Sequence, residues 1–180
     1  WDLGGTLLDN YETSTAAFVE TLVQYGIEQE HDRVYEALKV STAFAIEKFA
    51  PDIEDFLENY KENEARELEH PVLFEGIPEL LKDISDKGGR HFLVSHRNDQ
   101  VLELLSKTRI ANYFTEVVTA SSGFKRKPNP ESMIYLRDKY HITSGLVIGD
   151  RNIDIEAGEA AGLDAYLFNN VATLRQAIDM

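Results

Sequence analysis

Residues 145–168 read GLVIGDRNIDIEAGEAAGLDAYLF. The run GLVIG stops at Asp150, a helical segment follows over about residues 152–161, and a second short apolar run, AYLF, closes the stretch. Short apolar runs bounded by turn residues read as buried strands. A helix between two such strands carries the chain back over the sheet, so the second strand lies parallel to the first.

The same texture extends in both directions. Downstream, Leu174 and Ile178 mark a last helix. Upstream, NPES opens a helix in which Asn129 suits the N-cap and Pro130 the first helical position. Before it come the strand EVVT, a helix with Val101, Leu104 and Leu105, and the strand HFLVS. Ile77, Leu80, Leu81 and Ile84 make a further helix that Gly88 and Gly89 end. With the opening WDL as one more strand, the predicted fold class is α/β: a Rossmann-like parallel sheet of about five strands with helices on both faces. The chain starts at Trp1 without an initiator methionine, so the natural chain is expected to begin earlier, with a longer first strand.

From Tyr11 to Glu69 the pattern is helical throughout. The sets are Val19, Leu22 and Val23; Val34, Ala37 and Leu38; Ile46 and Phe49; then Ile53, Phe56, Leu57 and Tyr60 at i, i+3, i+4, i+7. This block reads as a small all-α module over residues 10–71, inserted after the first strand. The α/β domain is then split, residues 1–9 with 72–180.

At 180 residues and 43% apolar composition the chain can bury a substantial core without staples. Its lack of cysteine rules out disulfides and thiolate chemistry and fits a reducing, cytoplasmic setting. With 18 basic against 32 acidic residues, a net charge of -14, the summed field repels nucleic acid and anionic membranes. No apolar run approaches a membrane span. A small anionic substrate would need cations gathered locally.

In open parallel sheets the ligand sits beyond the carboxyl ends of the strands. The polar residues that follow the strand runs are Asp2; Ser95, His96 and Arg97; Lys125, Arg126 and Lys127 in a loop; and Asp150 and Asp154. Three converging carboxylates repel one another unless a cation joins them. An all-oxygen set favours a hard ion, Mg2+ above all, and Mg2+ points to phosphate. Ser95 and Lys127 can serve phosphoryl oxygens as donor and counter-charge. An Asp in that field can attack phosphorus and form an aspartyl-phosphate. Taken singly, each element has an ordinary reading: Asp2 as a turn residue, Asp154 as a first-turn helix residue, and the Lys125–Arg126–Lys127 run as a solvated face.

Together and in order, the pieces resemble the haloacid dehalogenase superfamily, in particular its phosphatase-like branch with an inserted helical cap. DLGGTLLD resembles the first motif, Asp-x-Asp-Gly-Thr, and FLVSHR the second. KRKPNPE is similar to the third, and VIGDRNIDIEAGEAAG to the fourth. The resemblance implies that Asp2 is the nucleophile and a Mg2+ ligand, and that Ser95 binds phosphate. It implies that Lys127 orients the nucleophile and neutralises the phosphoryl group, and that Asp150 and Asp154 bind the metal. His96 stands where a small polar residue is common and is expected to touch substrate.

Gly4 departs from the pattern more seriously. The family residue at this place gives its carbonyl to Mg2+ and its carboxylate to proton transfer; glycine keeps the first and loses the second. The expected function is a Mg2+-dependent phosphatase of a small phosphorylated metabolite, slowed or restricted by Gly4. The alternatives are a nearly inactive protein that binds a phospholigand or a protein partner, and a phosphonatase- or dehalogenase-like hydrolase. Family members with Ala at this place use a cap lysine, and the module offers Lys39, Lys48 and Lys61.

Overall fold

The helical block folds as four helices, α1 (Asn10–Gln24), α2 (His31–Val40), α3 (Thr42–Phe49) and α4 (Phe56–Glu67). The computed structural model describes all residues, 1–180. The chain divides into two units, one formed by Trp1–Leu8 with Leu73–Met180 and one by Asp9–Val72.

In the helical unit, side chains supply the helix starts. Asp9 accepts from the Glu12 N–H at 3.1 Å to open α1, and Ser41 accepts from the Phe44 N–H at 2.9 Å to open α3. The core is an aromatic knot: Phe18 meets Phe49, Phe56 and Tyr60 edge-on, with centroids 6.3, 4.8 and 5.2 Å away. One buried polar thread joins α4 to α1. Asn63 donates to Thr21 Oγ1 at 2.8 Å, and Thr21 donates to the Ala17 carbonyl at 2.7 Å. The unit's ends are tied by the Asp9 N–H bonding the Val72 carbonyl at 2.8 Å. Two periodic assignments move. Ile53 precedes α4, and Leu57 is 49% exposed, because Phe56 and Tyr60 alone turn toward Phe18.

The other unit runs α5 (Ile77–Asp86), β1 (His91–Val94), α6 (Gln100–Lys107), β2 (Phe114–Val118), α7 (Glu131–Lys139), β3 (Leu146–Gly149), α8 (Asn152–Ala160), β4 (Asp164–Leu167) and α9 (Val171–Ala177). The strands form two parallel pairs, β1 with β2 and β3 with β4. The two-residue period of a strand sends neighbours to opposite faces. Leu93 and Ile148 accordingly join one cluster with Ile77, Leu80, Val101, Leu105 and Leu174, which lie on α5, α6 and α9. Val94 and Val147 join a second cluster with Met133, Leu136 and Ala157, from α7 and α8. Helices therefore cover both faces of the strands. Helix α7 starts at Glu131, one residue later than expected, although Asn129 still accepts from the Glu131 N–H at 3.0 Å.

The opening WDL, expected as a strand, forms none, and the sheet expected as five strands is four strands in two pairs. Trp1 and Asp2 alone pair with the neighbouring strands. Leu3 already begins a turn, its carbonyl accepting from the N–H groups of Thr6, Leu7 and Leu8.

His91 is locked inside this unit, 2% exposed. Its Nε2–H donates to the Leu81 carbonyl at 2.9 Å, and its Nδ1 accepts from the Trp1 indole N–H at 3.0 Å. Burial holds the ring's pKa below the ordinary histidine value. The unfolded chain therefore takes a proton near pH 6.5 that the folded chain refuses, so stability is lost as pH falls through and below that value. Thermal unfolding followed by circular dichroism at about pH 7.5 and about pH 5.5 is expected to show a drop in melting temperature that His91→Phe reduces. An equal drop in both proteins contradicts this assignment.

Candidate active site

Asp2 is placed by the peptide groups around it. The Trp1 amino group donates to the Phe92 carbonyl at 2.8 Å, the Val94 N–H to the Trp1 carbonyl at 3.0 Å, and the Asp2 N–H to the Ile148 carbonyl at 2.9 Å. The residue thus emerges between the carboxyl ends of β1 and β3. Asp150 follows β3 directly, and Asp154 sits in the first turn of α8, its Oδ2 accepting from the Arg151 N–H at 3.2 Å. Oxygens of the three carboxylates lie within 4.8 Å of one another.

Two glycines make this approach possible. Gly5 has a φ of +82°, and a Cβ there would collide with the Asp150 carboxylate. At Gly149 a Cβ would collide with the Asp154 side chain. Thr6, fully buried, donates to Asp150 Oδ1 at 3.4 Å. These three positions escaped the sequence reading. The signal was present in the Gly-Gly-Thr after Asp2 and in the glycine just before Asp150.

Lys127 ties two of the carboxylates together. Its Nζ donates to Asp2 Oδ1 at 3.0 Å and to Asp154 Oδ1 at 2.7 Å, and the side chains of Lys127 and Asp154 are each only 2% exposed. The loop that carries Lys127 is clamped by His96, whose Nε2 accepts the Lys127 backbone N–H at 2.7 Å. Burial, then the Lys127 ammonium, holds the imidazole pKa below its ordinary value, which suits an acceptor. Ser95, 4% exposed, follows β1 and is anchored by its N–H to the Val118 carbonyl at 2.9 Å. Its Oγ accepts from the Arg97 N–H at 3.2 Å, and the Arg97 carbonyl accepts from the Ala120 N–H at 2.8 Å. Lys125 and Arg126 are exposed. Gly4 brings a peptide group and no side chain.

Three carboxylates against one ammonium leave a local excess of two negative charges. Asp150 registers it: burial first, then the neighbouring Asp2 carboxyl, push its pKa up to about 6. All the donors are oxygens, the excess matches a divalent cation, and the group that most resists ionisation lies among them. These residues fit a hard ion such as Mg2+.

A model of the haloacid dehalogenase-like hydrolase family matches residues 1–168, and the chain belongs to that family. Relatives of this chain include phosphatases. A phosphoglycolate phosphatase from Aquifex aeolicus is 27% identical over 93% of this chain and 82% of its own. An N-acetylmuramic acid 6-phosphate phosphatase from Pseudomonas putida is 28% identical over 90% of this chain and 78% of its own. Among solved structures, a hydrolase from Streptococcus pneumoniae TIGR4 superposes with a TM-score of 0.96 at 78% identity, covering all of this chain and 96% of that one. No helix is long and apolar enough to cross a membrane.

Removing the ammonium strands buried charge. Lys127→Ala is expected to lower stability at neutral pH by about 3–5 kcal/mol, the usual cost of breaking a buried pair from one side. Denaturant unfolding measures it, and a loss below about 1 kcal/mol, the range of a surface pair, contradicts the buried-pair reading.

Proposed function

We propose that this hydrolase transfers a phosphoryl group from a small phosphorylated metabolite to Asp2 and then to water, with Mg2+ held by Asp2, Asp150, Asp154 and the Gly4 carbonyl. The observation that carries this reading is Asp2 fixed by Lys127 within a carboxylate set that is short of positive charge. When bound, Mg2+ supplies charge neutralisation at the phosphoryl oxygens.

Lys127 fixes the Asp2 carboxylate and faces the charge that builds up on the transferring group. Ser95, buried at the end of β1, is the phosphate-binding hydroxyl, and His96 is a substrate contact that also steadies the Lys127 loop. An Asp2 oxygen forms the new bond to phosphorus as the ester bond breaks. Water then attacks the phosphorus of the aspartyl-phosphate, restoring the carboxylate and releasing phosphate.

Each half of the reaction has a proton to move, and Gly4 can move none. An alkoxide leaving group needs that proton, whereas aryl and acyl phosphates leave without it. General acid–base assistance contributes about 10² to 10⁴ in rate, so alkyl phosphates should turn over slowly. The relatives named above are phosphatases of small phosphorylated compounds, which supports the substrate class.

Gly4 is also the one feature that favours a phospholigand-binding protein with little turnover. A Schiff-base route through the helical unit has less support. Lys39, Lys48 and Lys61 are all exposed, whereas such chemistry uses a lysine shielded from water.

Steady-state hydrolysis of para-nitrophenyl phosphate, acetyl phosphate and an alkyl phosphate with Mg2+ separates these readings. Turnover is expected on the first two, abolished by Asp2→Asn, with Gly4→Asp raising the alkyl rate by about 10² to 10⁴. Unchanged activity in Asp2→Asn overturns the nucleophile assignment. A wild type inactive on all three, with Gly4→Asp active, favours the binding protein.

A further inference from the structure

The loops that follow β1, β2 and β3 carry more positive charge than the proposed reaction uses. Arg97 lies in the first, Lys125 and Arg126 in the second and Arg151 in the third, and all four are exposed. None has a carboxylate oxygen within ion-pair distance, although the chain holds 32 acidic residues against 18 basic ones. Away from these loops most cations do pair, as Lys82 does with Asp86 at 2.6 Å and Arg175 with Asp83 at 2.8 Å.

The acids nearest in sequence are engaged by other donors. Asp99 accepts from the Thr119 hydroxyl at 3.1 Å, Glu131 accepts from the Lys125 N–H at 2.9 Å, and Asp150 belongs to the carboxylate set. Ser95 and Lys127 already answer the phosphoryl group, so the four loop cations have no anion assigned to them.

The main chain beneath these cations is pinned. The Arg97 carbonyl accepts from the Ala120 N–H at 2.8 Å and the His96 ring from the Lys127 N–H at 2.7 Å, which joins the first loop to the second beside Ser95. The Arg126 carbonyl accepts from the Asn129 N–H at 3.0 Å, closing a turn around Lys127. Arg97 follows His96 directly, and the Arg126 charge reaches the same ring: burial, then the Lys127 ammonium, then the Arg126 guanidinium lower the imidazole pKa. Like charges held on pinned loops repel one another, and an arriving anion relieves that repulsion.

We propose that the metabolite carries a second anionic group, a carboxylate or a further phosphate, and that Arg97 and Arg126 bind it beside the phosphoryl site. The proposal rests on the phosphatase reading of the same site and narrows its substrate class to phosphorylated acids and bisphosphates. A guanidinium offers two parallel N–H groups that match a carboxylate or a phosphate, so the two arginines read the shape of the second group as well as its charge. Lys125 and Arg151 add to the attraction as point charges. The loops are fixed before the ligand arrives, so little backbone order is lost when it binds.

Calorimetric titration in the presence of Mg2+ tests this without requiring turnover. Three ligands that are not hydrolysed are compared: ethylphosphonate, phosphonopropionate and ethylene diphosphonate, which share a phosphonate on two carbons and differ in the group at the other end. Phosphonopropionate or ethylene diphosphonate is expected to bind the wild type about tenfold or more tighter than ethylphosphonate, and the tighter of the two tells carboxylate from phosphate. The double variant Arg97→Gln, Arg126→Gln is expected to lose that advantage while its affinity for ethylphosphonate stays within about twofold. Equal binding of all three ligands to the wild type overturns the proposal and leaves the phosphate site standing. An equal loss for all three in the double variant also overturns it, and assigns the arginines to a general attraction of anions. Failure of every ligand to bind overturns the phosphate site together with the proposal.

Discussion

The Lys127 ammonium, shared between Asp2 and Asp154 at 3.0 and 2.7 Å, is the interaction on which the rest of the α/β unit converges. It joins three segments far apart in sequence: the peptide between β1 and β3, the loop ahead of α7, and the first turn of α8. Each is fixed from behind, by Phe92 and Ile148 for the first, by His96 for the second and by the Arg151 N–H for the third. A point charge buried among carboxylates holds them only if each is delivered to within hydrogen-bond reach. The glycine at 149 removes the Cβ that would displace Asp154, and the glycine at 5 does the same for Asp150, which completes the carboxylate set. One ammonium still leaves two carboxylate charges uncompensated, and this remaining excess is what the divalent cation of the proposed reaction would offset.

Much of this was legible in the residues, because the signals were local. GLVIG, HFLVS and AYLF are strands since short apolar runs between turn residues have few other ways to be buried, and Asp2, Lys127, Asp150 and Asp154 meet because strand ends share an edge. What escaped depends on tertiary direction. Periodicity counted Leu57 with Phe56 and Tyr60, yet only the latter two turn toward Phe18. WDL has strand composition but lacks the length for a ladder, since Leu3 is already committed to the turn. Thr6 and Gly149 carry no charge and no periodic signal; their placement just after Asp2 and just before Asp150 is the one hint, and the distance to a neighbouring carboxylate gives it meaning.

Gly4 separates two properties that a carboxylate at this position would combine. A main-chain carbonyl is retained whatever the side chain, so the metal-binding potential of the turn survives; the proton-transfer potential does not. Binding and covalent transfer can therefore persist while the steps that need a proton slow down. In the proposed reaction, substrate choice then shifts toward leaving groups that depart unaided, and the aspartyl-phosphate, deprived of a base to activate water, lives longer. On that proposal the same glycine limits the reaction and makes its intermediate easier to observe.

That intermediate gives the most direct test of the account. The protein is mixed with Mg2+ and acetyl phosphate, quenched in acid within the first turnovers, and the digested peptides are weighed by mass spectrometry. The account predicts one added phosphoryl group on the peptide carrying Asp2, absent from Asp2→Asn and less abundant in Gly4→Asp. Steady turnover of acetyl phosphate with no adduct on Asp2 at any quench time, and undiminished in Asp2→Asn, would contradict it.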